Sequence, residues 1–509
     1  MKKIFTLVLL LSALFVAGTA KADTFKSGKF TFYIYENNRC AVYYFSDYSA
    51  TDVEVPATAT DDSGQEYTVI GIDEFGMGWG AFKTVKLPDT LEYIEAGGFS
   101  SCTSLQEITI PAKVTLIGNK AFAKCTSLTA INVAEDSETF ASVDGALFNK
   151  DKDQLLLYPC GKSGAFTIPE GVTAIADLAF NTCKSLTEVS FPSTLKSIGE
   201  SAFEGCTSIE EIKLPEGLET IGNSAFIDDY AIQSVTIPST VTSIGKAAFA
   251  NCSGMTNAVI GASVTSLPST LFESCTSLES VTLPEGLTTI GDYAFQNCSS
   301  LKSVDLLKNV NSIGTRAFYQ CAALTAINVV EDNASISSHD GVLYNKDQSK
   351  LLVFPAGKAG EYAIQNTCKE IDTDAFWKAI NLTSVDIPAS METIGDQAFT
   401  YCSALKTVKS HAQTAPTLGE QAFSFIDGES TLYIPEGTSD SYKDWVGYFG
   451  SVDTLNEQTS VITIAADLNN AAATEMYTIN GTRVAADATL APGIYIRRAG
   501  NHVQKVIVK

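Results

Sequence analysis

The chain has 509 residues, of which 45% are hydrophobic and 18% charged, with a net charge of −24. That apolar content suffices for a sizeable core. The acidic balance disfavours nucleic acid and anionic membranes as partners, because phosphate recognition needs clustered Lys and Arg.

Lys2 and Lys3 precede an apolar run from Ile4 to Val16, and Ala20-Lys21-Ala22 follows. A charged start, a short apolar middle and a small-residue end read as a secretory signal peptide over residues 1–22. This 13-residue run is too short for a comfortable bilayer span, and no later stretch is long enough. The expected product is exported, secreted or on the outer cell surface, with no transmembrane segment after cleavage and a net charge of −27. Residues 23–70 are rich in β-formers and aromatics, among them Phe30, Phe32, Tyr33, Tyr35, Tyr43, Tyr44 and Phe45. They read as a strand-rich N-terminal cap.

From residue 71 to 435 a repeat takes over. An anchor, usually Ala-Phe, recurs at Phe75, Phe99, Phe122, Phe180, Phe203, Phe226, Phe249, Phe272, Phe295, Phe318, Phe376, Phe399 and Phe423. The intervals are 23 or 24 residues except for two of 58, and prolines such as Pro192, Pro215 and Pro238 keep the same beat. Such a period marks a solenoid, in which stacked units bury what one unit cannot. In the unit after Phe203, Ile212 and Leu214 alternate with polar neighbours and read as a short inward-facing strand. Pro215 ends it, Glu216-Gly217 turns, Leu218 and Ile221 return to the core, and Gly222 permits a bend into a short helical turn. Stacking at about 4.8 Å per strand predicts a continuous sheet on the order of 60 Å long, with each anchor Phe in the core.

The pattern Ala294-Phe295…Cys298-Ser-Ser-Leu301…Val304, repeated as Leu271-Phe272…Cys275-Thr-Ser-Leu278…Val281-Thr-Leu283-Pro284, resembles the BspA-type leucine-rich repeats of bacterial surface proteins. The resemblance implies a leucine-rich-repeat solenoid of short strands plus short helical turns, with a small all-β C-terminal domain. It also implies attachment to extracellular host or bacterial proteins. The two 58-residue intervals contain a second repeat at an offset of 196: Asp144-Gly-Ala-Leu-Phe-Asn-Lys-Asp151 returns as Asp340-Gly-Val-Leu-Tyr-Asn-Lys-Asp347. Asn-Lys-Asp between apolar runs reads as a hairpin turn, giving long hairpin-bearing repeats around 131–170 and 327–366. These Asp-rich turns lack the closing Glu of a calcium loop, so no metal is expected.

Residues 436–457, with Tyr442 and Trp445, resemble the closing unit of such a repeat. Residues 458–509 abandon the beat. Asn480-Gly481 is a hairpin signal, and Pro492-Gly-Ile-Tyr-Ile496 with a Lys505-Val-Ile-Val-Lys509 end resembles the sorting domains of Bacteroidetes type IX secretion, beside a plain β-rich end domain as the alternative.

Chemistry is sparse. Nine of the twelve cysteines sit three residues after an anchor Phe. Position-equivalent side chains point the same way, which favours reduced, buried thiols over a disulfide scaffold; Asp229 and Ala379 also occupy this position. Only His339, His411 and His502 are present, and no His-x-x-x-His, Cys-x-x-Cys or Gly-x-Ser-x-Gly element occurs. No enzyme activity and no cofactor are expected. The outward strand positions, such as Glu107 and Thr109, Ser234 and Thr236, Ser384 and Asp386, make a small, polar, mildly acidic face without the aromatics of a glycan platform or a tight interface. Contact is therefore expected at the inserts and caps, near Phe148, Tyr344, Trp377 and Trp445. The reading that results is a secreted or cell-surface adhesin or interaction scaffold. A structural spacer or matrix protein is the alternative, and a carbohydrate-binding module is possible but disfavoured.

Overall fold

The computed structural model describes residues 23–455 and, beyond them, the strands Glu475–Thr478, Arg483–Val484, Gly493–Ala499 and His502–Val508. The expected leader over 1–22 and the Asn480-Gly481 turn lie outside the described residues.

The chain winds into a β-solenoid of about 17 turns. A regular turn supplies one strand to each of two rows of parallel strands. In the first row Ser234–Thr236 pairs with Asn257–Val259, and that with Ser280–Thr282, placing Val235, Ala258 and Val281 in register. Alternation explains the direction: Val235 is buried between exposed Ser234 and Thr236. The second row uses dipeptides such as Thr220–Ile221 and Ser243–Ile244, whose isoleucines pair one turn apart. The first row is not one continuous sheet. No strand forms at residues 211–214, and Leu186–Ser190 is not laddered to Ser234–Thr236. Ile212 is buried there all the same. The break coincides with Phe191, which stands where other turns place Ile237 or Leu283 and sets its ring edge-on to Phe203, 5.7 Å away.

Between the second strand and the next turn's first strand runs an outer turn that carries the anchor. It is not helical. Among the described residues the helical element is one 3-10 turn, Val446–Tyr448. Two left-handed residues flank each anchor from Phe99 onward, for example Ala247 (φ 55°) and Asn251 (φ 61°) around Phe249, and a left-handed residue cannot sit inside a right-handed helix. Pressed flat in this way, successive outer turns bond to one another: the Phe226 N–H donates to Ala248 O at 2.8 Å. Their rings stack face to face from Phe180 through Phe318 with centroids 4.5 to 5.9 Å apart. Phe75 departs from the expectation. It is 42% exposed, and Met77 takes the core position of that turn.

Gly222 has an ordinary φ, so its role is not the permissive bend that the sequence suggests. A Cβ there would lie 2.5 Å from the Gly199 carbonyl carbon, and one at Gly245 would lie 2.2 Å from the Asn223 nitrogen. Glycine is required because the preceding turn's backbone occupies the methyl's place.

Each long interval holds an antiparallel meander, Phe140–Val143, Ala146–Asn149 and Gln154–Leu157, repeated as Ile336–His339, Val342–Asn345 and Lys350–Val353. Its last strand rejoins the second row at Ala174–Ile175 or Glu370–Ile371. Tyr158 and Phe354 then continue the ring stack, 5.0 Å from Phe180 and 4.6 Å from Phe376.

At the N-terminal end Thr24–Ser27, Phe30–Tyr35 and Arg39–Phe45 form an antiparallel sheet joined to the second row through Glu66–Ile72. At the other end Trp445 lies 5.3 Å from Phe423. Glu475–Thr478, Arg483–Val484, Gly493–Ala499 and His502–Val508 form a separate four-stranded antiparallel sheet.

Phe249 is fully buried between two neighbouring rings. Phe249→Ala is expected to cost about 3–5 kcal/mol, as a large core truncation does. A thermal melt matching that of the parent would refute the stack.

Candidate functional site

The four residues expected to make contact have different fates. Phe148 and Tyr344, equivalent in the two inserts, are fully buried, and the Tyr344 hydroxyl lies 2.6 Å from that of Tyr362. Trp445 is 1% exposed, and its indole N–H donates to Pro416 O at 3.1 Å. These three rings fill the core, because the inserts and the closing segment lay their aromatics onto the ring stack rather than outward. They offer no contact surface.

Trp377 is also largely buried, at 9% exposure, but it lies outside the ring stack. It stacks on Tyr319 at 3.8 Å and meets Tyr401 edge-on at 5.8 Å, and Tyr401 stacks on Phe425 at 4.7 Å. Lys378 sits 4.6 Å over Trp377, and Arg316 sits 5.0 Å over Tyr319. The result is an aromatic strip across four outer turns, with Tyr401 42% and Phe425 64% exposed. Tyr401 and Phe425 both have left-handed backbone (φ 64° and 59°), at a position that other turns fill with Ser274, Asn297 or Gln320. Reading contact from the strand face, the inserts and the caps missed both residues. Their signal was an aromatic two residues after the anchor. A smaller exposed pair, Phe75 and Trp79, stacks at 5.3 Å near the other end.

The outward strand face is small and polar, as in Glu107–Ile110 and Ser303–Leu306, where exposed and buried residues alternate. Ser384 is the exception, buried to 8% exposure. His411 pairs with Asp386 at 2.6 Å on this face, and His339 is exposed in the second insert. Among the described residues no three His, Cys, Asp or Glu side chains converge as metal ligands would, and nothing in the arrangement indicates catalysis.

The cysteines do more than fill space. Seven ladder thiols donate to the anchor carbonyl of the preceding turn, among them Cys206 to Phe180 O, Cys275 to Phe249 O and Cys298 to Phe272 O, each at 3.1 Å, while Cys102 donates to Met77 O. A small apolar group with a weak donor satisfies a buried carbonyl there. Burial pushes Cys402 up to about 12 and Cys275 well above its usual range, so these two thiols stay protonated and unreactive. One ladder thiol departs from the expectation. Cys183 is disulfide-bonded to Cys160, 23 residues away, because the truncated turn of the first insert brings Cys160 beside it. The other ten are free.

Asp229 holds the ladder position in its turn and is fully buried. Its Oδ1 accepts the Cys206 N–H at 2.6 Å, while Oδ2 has no hydrogen-bond partner. Desolvation outweighs that bond and raises its pKa well above the carboxylate range, so the group is held neutral.

Stacked parallel strands whose turns bury a repeating ring and thiol define a leucine-rich-repeat solenoid. The chain belongs to the family described as BspA type leucine rich repeat region, which matches residues 65–152, 154–276, 219–340 and 353–468. Among solved structures, a leucine-rich repeat protein from Bacteroides ovatus is 23% identical over 76% of this chain and 94% of its own, with a TM-score of 0.40. A leucine rich cell surface protein from Faecalibacterium prausnitzii is 20% identical over 87% and 97%, with a TM-score of 0.35. The pneumococcal vaccine antigen PcpA is 20% identical over 73% and 99%, also at 0.35. No curated protein matches the chain.

Thiol titration of the denatured, unreduced protein is expected to find ten reactive thiols, rising to twelve after reduction; twelve without reduction would refute the Cys160–Cys183 bond. Asp229→Asn keeps an acceptor for Cys206 and removes the titration. A folded pKa raised above the unfolded value of about 3.9 means that native protein binds the extra proton above that pH, so wild-type stability falls as pH rises from about 4 toward the folded pKa. Across that window the stability of Asp229→Asn relative to wild type should improve by up to about 1.4 kcal/mol per pH unit. Parallel denaturation curves at pH 4 and pH 8 that show no such divergence would refute a neutral Asp229.

Proposed function

We propose that the protein is an exported leucine-rich-repeat binding protein, an adhesin or interaction scaffold that meets extracellular host or bacterial proteins along its outer turns. The observation that carries this reading is the exposed pair Tyr401 and Phe425, which continues outward from Trp377. Other turns hold this left-handed position with Ser274, Asn297 or Gln320, and a spacer would gain nothing from large exposed rings in their place. Aromatic and arginine side chains are the usual centres of protein interfaces. The strip suits a protein partner better than a glycan, because its rings stack on each other and leave few open faces for a sugar. The signal-like start agrees with export. In this reading residues 23–70 and 436–457 cap the solenoid, and residues 458–509 serve as a sorting-like end domain.

Residues 23–509 should bind immobilised extracellular matrix proteins or whole cells saturably, and Tyr401→Ser with Phe425→Ser should weaken that binding about tenfold or more. Uniform absence of saturable binding would favour the spacer. Binding confined to a glycan panel would favour the carbohydrate module.

A further inference from the structure

The two 58-residue intervals are internal copies, and they differ at the point where each lacks an outer turn. In the second copy the gap is closed. Arg316 Nε pairs with Asp374 Oδ2 at 2.7 Å, and Tyr319 stacks on Trp377 at 3.8 Å, so the flanking turns grip each other across 58 residues. At an offset of 196 the first copy has Lys120, Leu178, Ala123 and Asn181 in those places. Both clamps are lost together. What remains is an open cleft of about 1060 Å³ that continues along the next turns. Half-buried Leu116, Ile117, Leu156 and Leu157 line it, while exposed Asp177 and Glu200 stand at its rim. The disulfide marks the same divergence: Cys160 and Cys183 in the open copy correspond to Ala356 and Ala379 in the closed one. The open copy thus has a covalent link at its base where the closed copy has a clamp at its rim.

We infer that the open cleft is a docking site for a partner polypeptide segment that brings an aromatic side chain beside an arginine or lysine. The closed copy shows what fits such a gap: two rings, each with a cation over its face, and one guanidinium–carboxylate pair. The open copy supplies apolar walls, two carboxylates and the Lys120 ammonium, and its rings Phe122, Phe140 and Tyr158 are buried, so it has no counterpart of the clamp's two stacked rings or its guanidinium. Asp177 and Glu200, on a strongly acidic chain, favour a cationic visitor. This inference rests on the protein-binding role proposed above and gives it a second, chemically defined site.

The test grafts the closed copy's clamp onto the open one with Lys120→Arg, Ala123→Tyr, Leu178→Asp and Asn181→Trp; Ala123→Tyr alone serves as the milder variant if the graft unfolds. The probe is a fluorescein-labelled peptide, Gly-Ser-Arg-Trp-Arg-Ser-Gly, titrated against residues 23–509 by anisotropy. Saturable binding is expected, weakened about tenfold or more by either variant and by replacing the peptide's Trp with Ala. No binding to the parent, or equal affinity in a folded grafted variant, would overturn the inference. So would a graft that abolishes oligosaccharide binding or self-association instead, since the cleft would then have another occupant. Matrix-protein binding is measured in parallel. If it persists while the peptide fails to bind, the cleft inference alone falls; if both are absent, the binding role falls with it.

Discussion

Between one turn and the next there is room for a phenyl ring and a thiol, but none for a methyl group at Gly222 or Gly245. That fit sets the molecule's dimensions. The glycines let the backbones approach, the rings define the spacing at the outer edge, and the two left-handed residues beside each anchor flatten the outer turn so that its N–H groups reach the next turn's carbonyls. The cysteine completes the fit by donating to the anchor carbonyl that the ladder leaves over. A larger or more polar group at that position must bring its own compensation. Asp229 does so by accepting a backbone N–H and remaining neutral.

Most of this fit was legible in the residues because it is periodic. The phenylalanine beat located the core and the register, and the alternation around Val235 or Val304 gave the strand direction. Non-periodic features were harder to read. Nothing in Ala247 or Asn251 announces a left-handed conformation, so the outer turn looked helical. Phe75 kept the beat while Met77 two residues later took the core, because one aromatic is indistinguishable from another in a period count. Phe148, Tyr344 and Trp445 looked like contact residues because they lie where the pattern breaks. A break in pattern need not be a break in packing, and these rings simply extend the stack. Trp377 is different because its neighbours Tyr319 and Tyr401 also lie outside the ring stack.

The cysteines mark the limit of argument by equivalence. Side chains at the same position in successive turns run parallel and do not face one another, which is why eight ladder thiols remain single. Cys160 escapes that rule because it is not at a ladder position. It comes from the shortened turn of an insert, and so approaches Cys183 from a different direction. A count of spacings cannot find such a pair, whereas comparing the two inserts can: the second copy has alanine at both places.

That comparison bears on function as well as on bonding. In a solenoid the stacking constraint acts alike on every turn, so differences between equivalent turns that leave the core untouched are not explained by stability. Phe148 and Tyr344, Tyr158 and Phe354, Phe166 and Tyr362 all remain aromatic and buried across the two inserts. The rim residues diverge instead, from Lys120, Ala123, Leu178 and Asn181 to Arg316, Tyr319, Asp374 and Trp377. In one copy this makes a closed clamp whose rings begin an exposed strip, and in the other an apolar cleft with carboxylates at its edge. One scaffold thereby presents two unlike surfaces without altering the interlocking turns beneath them.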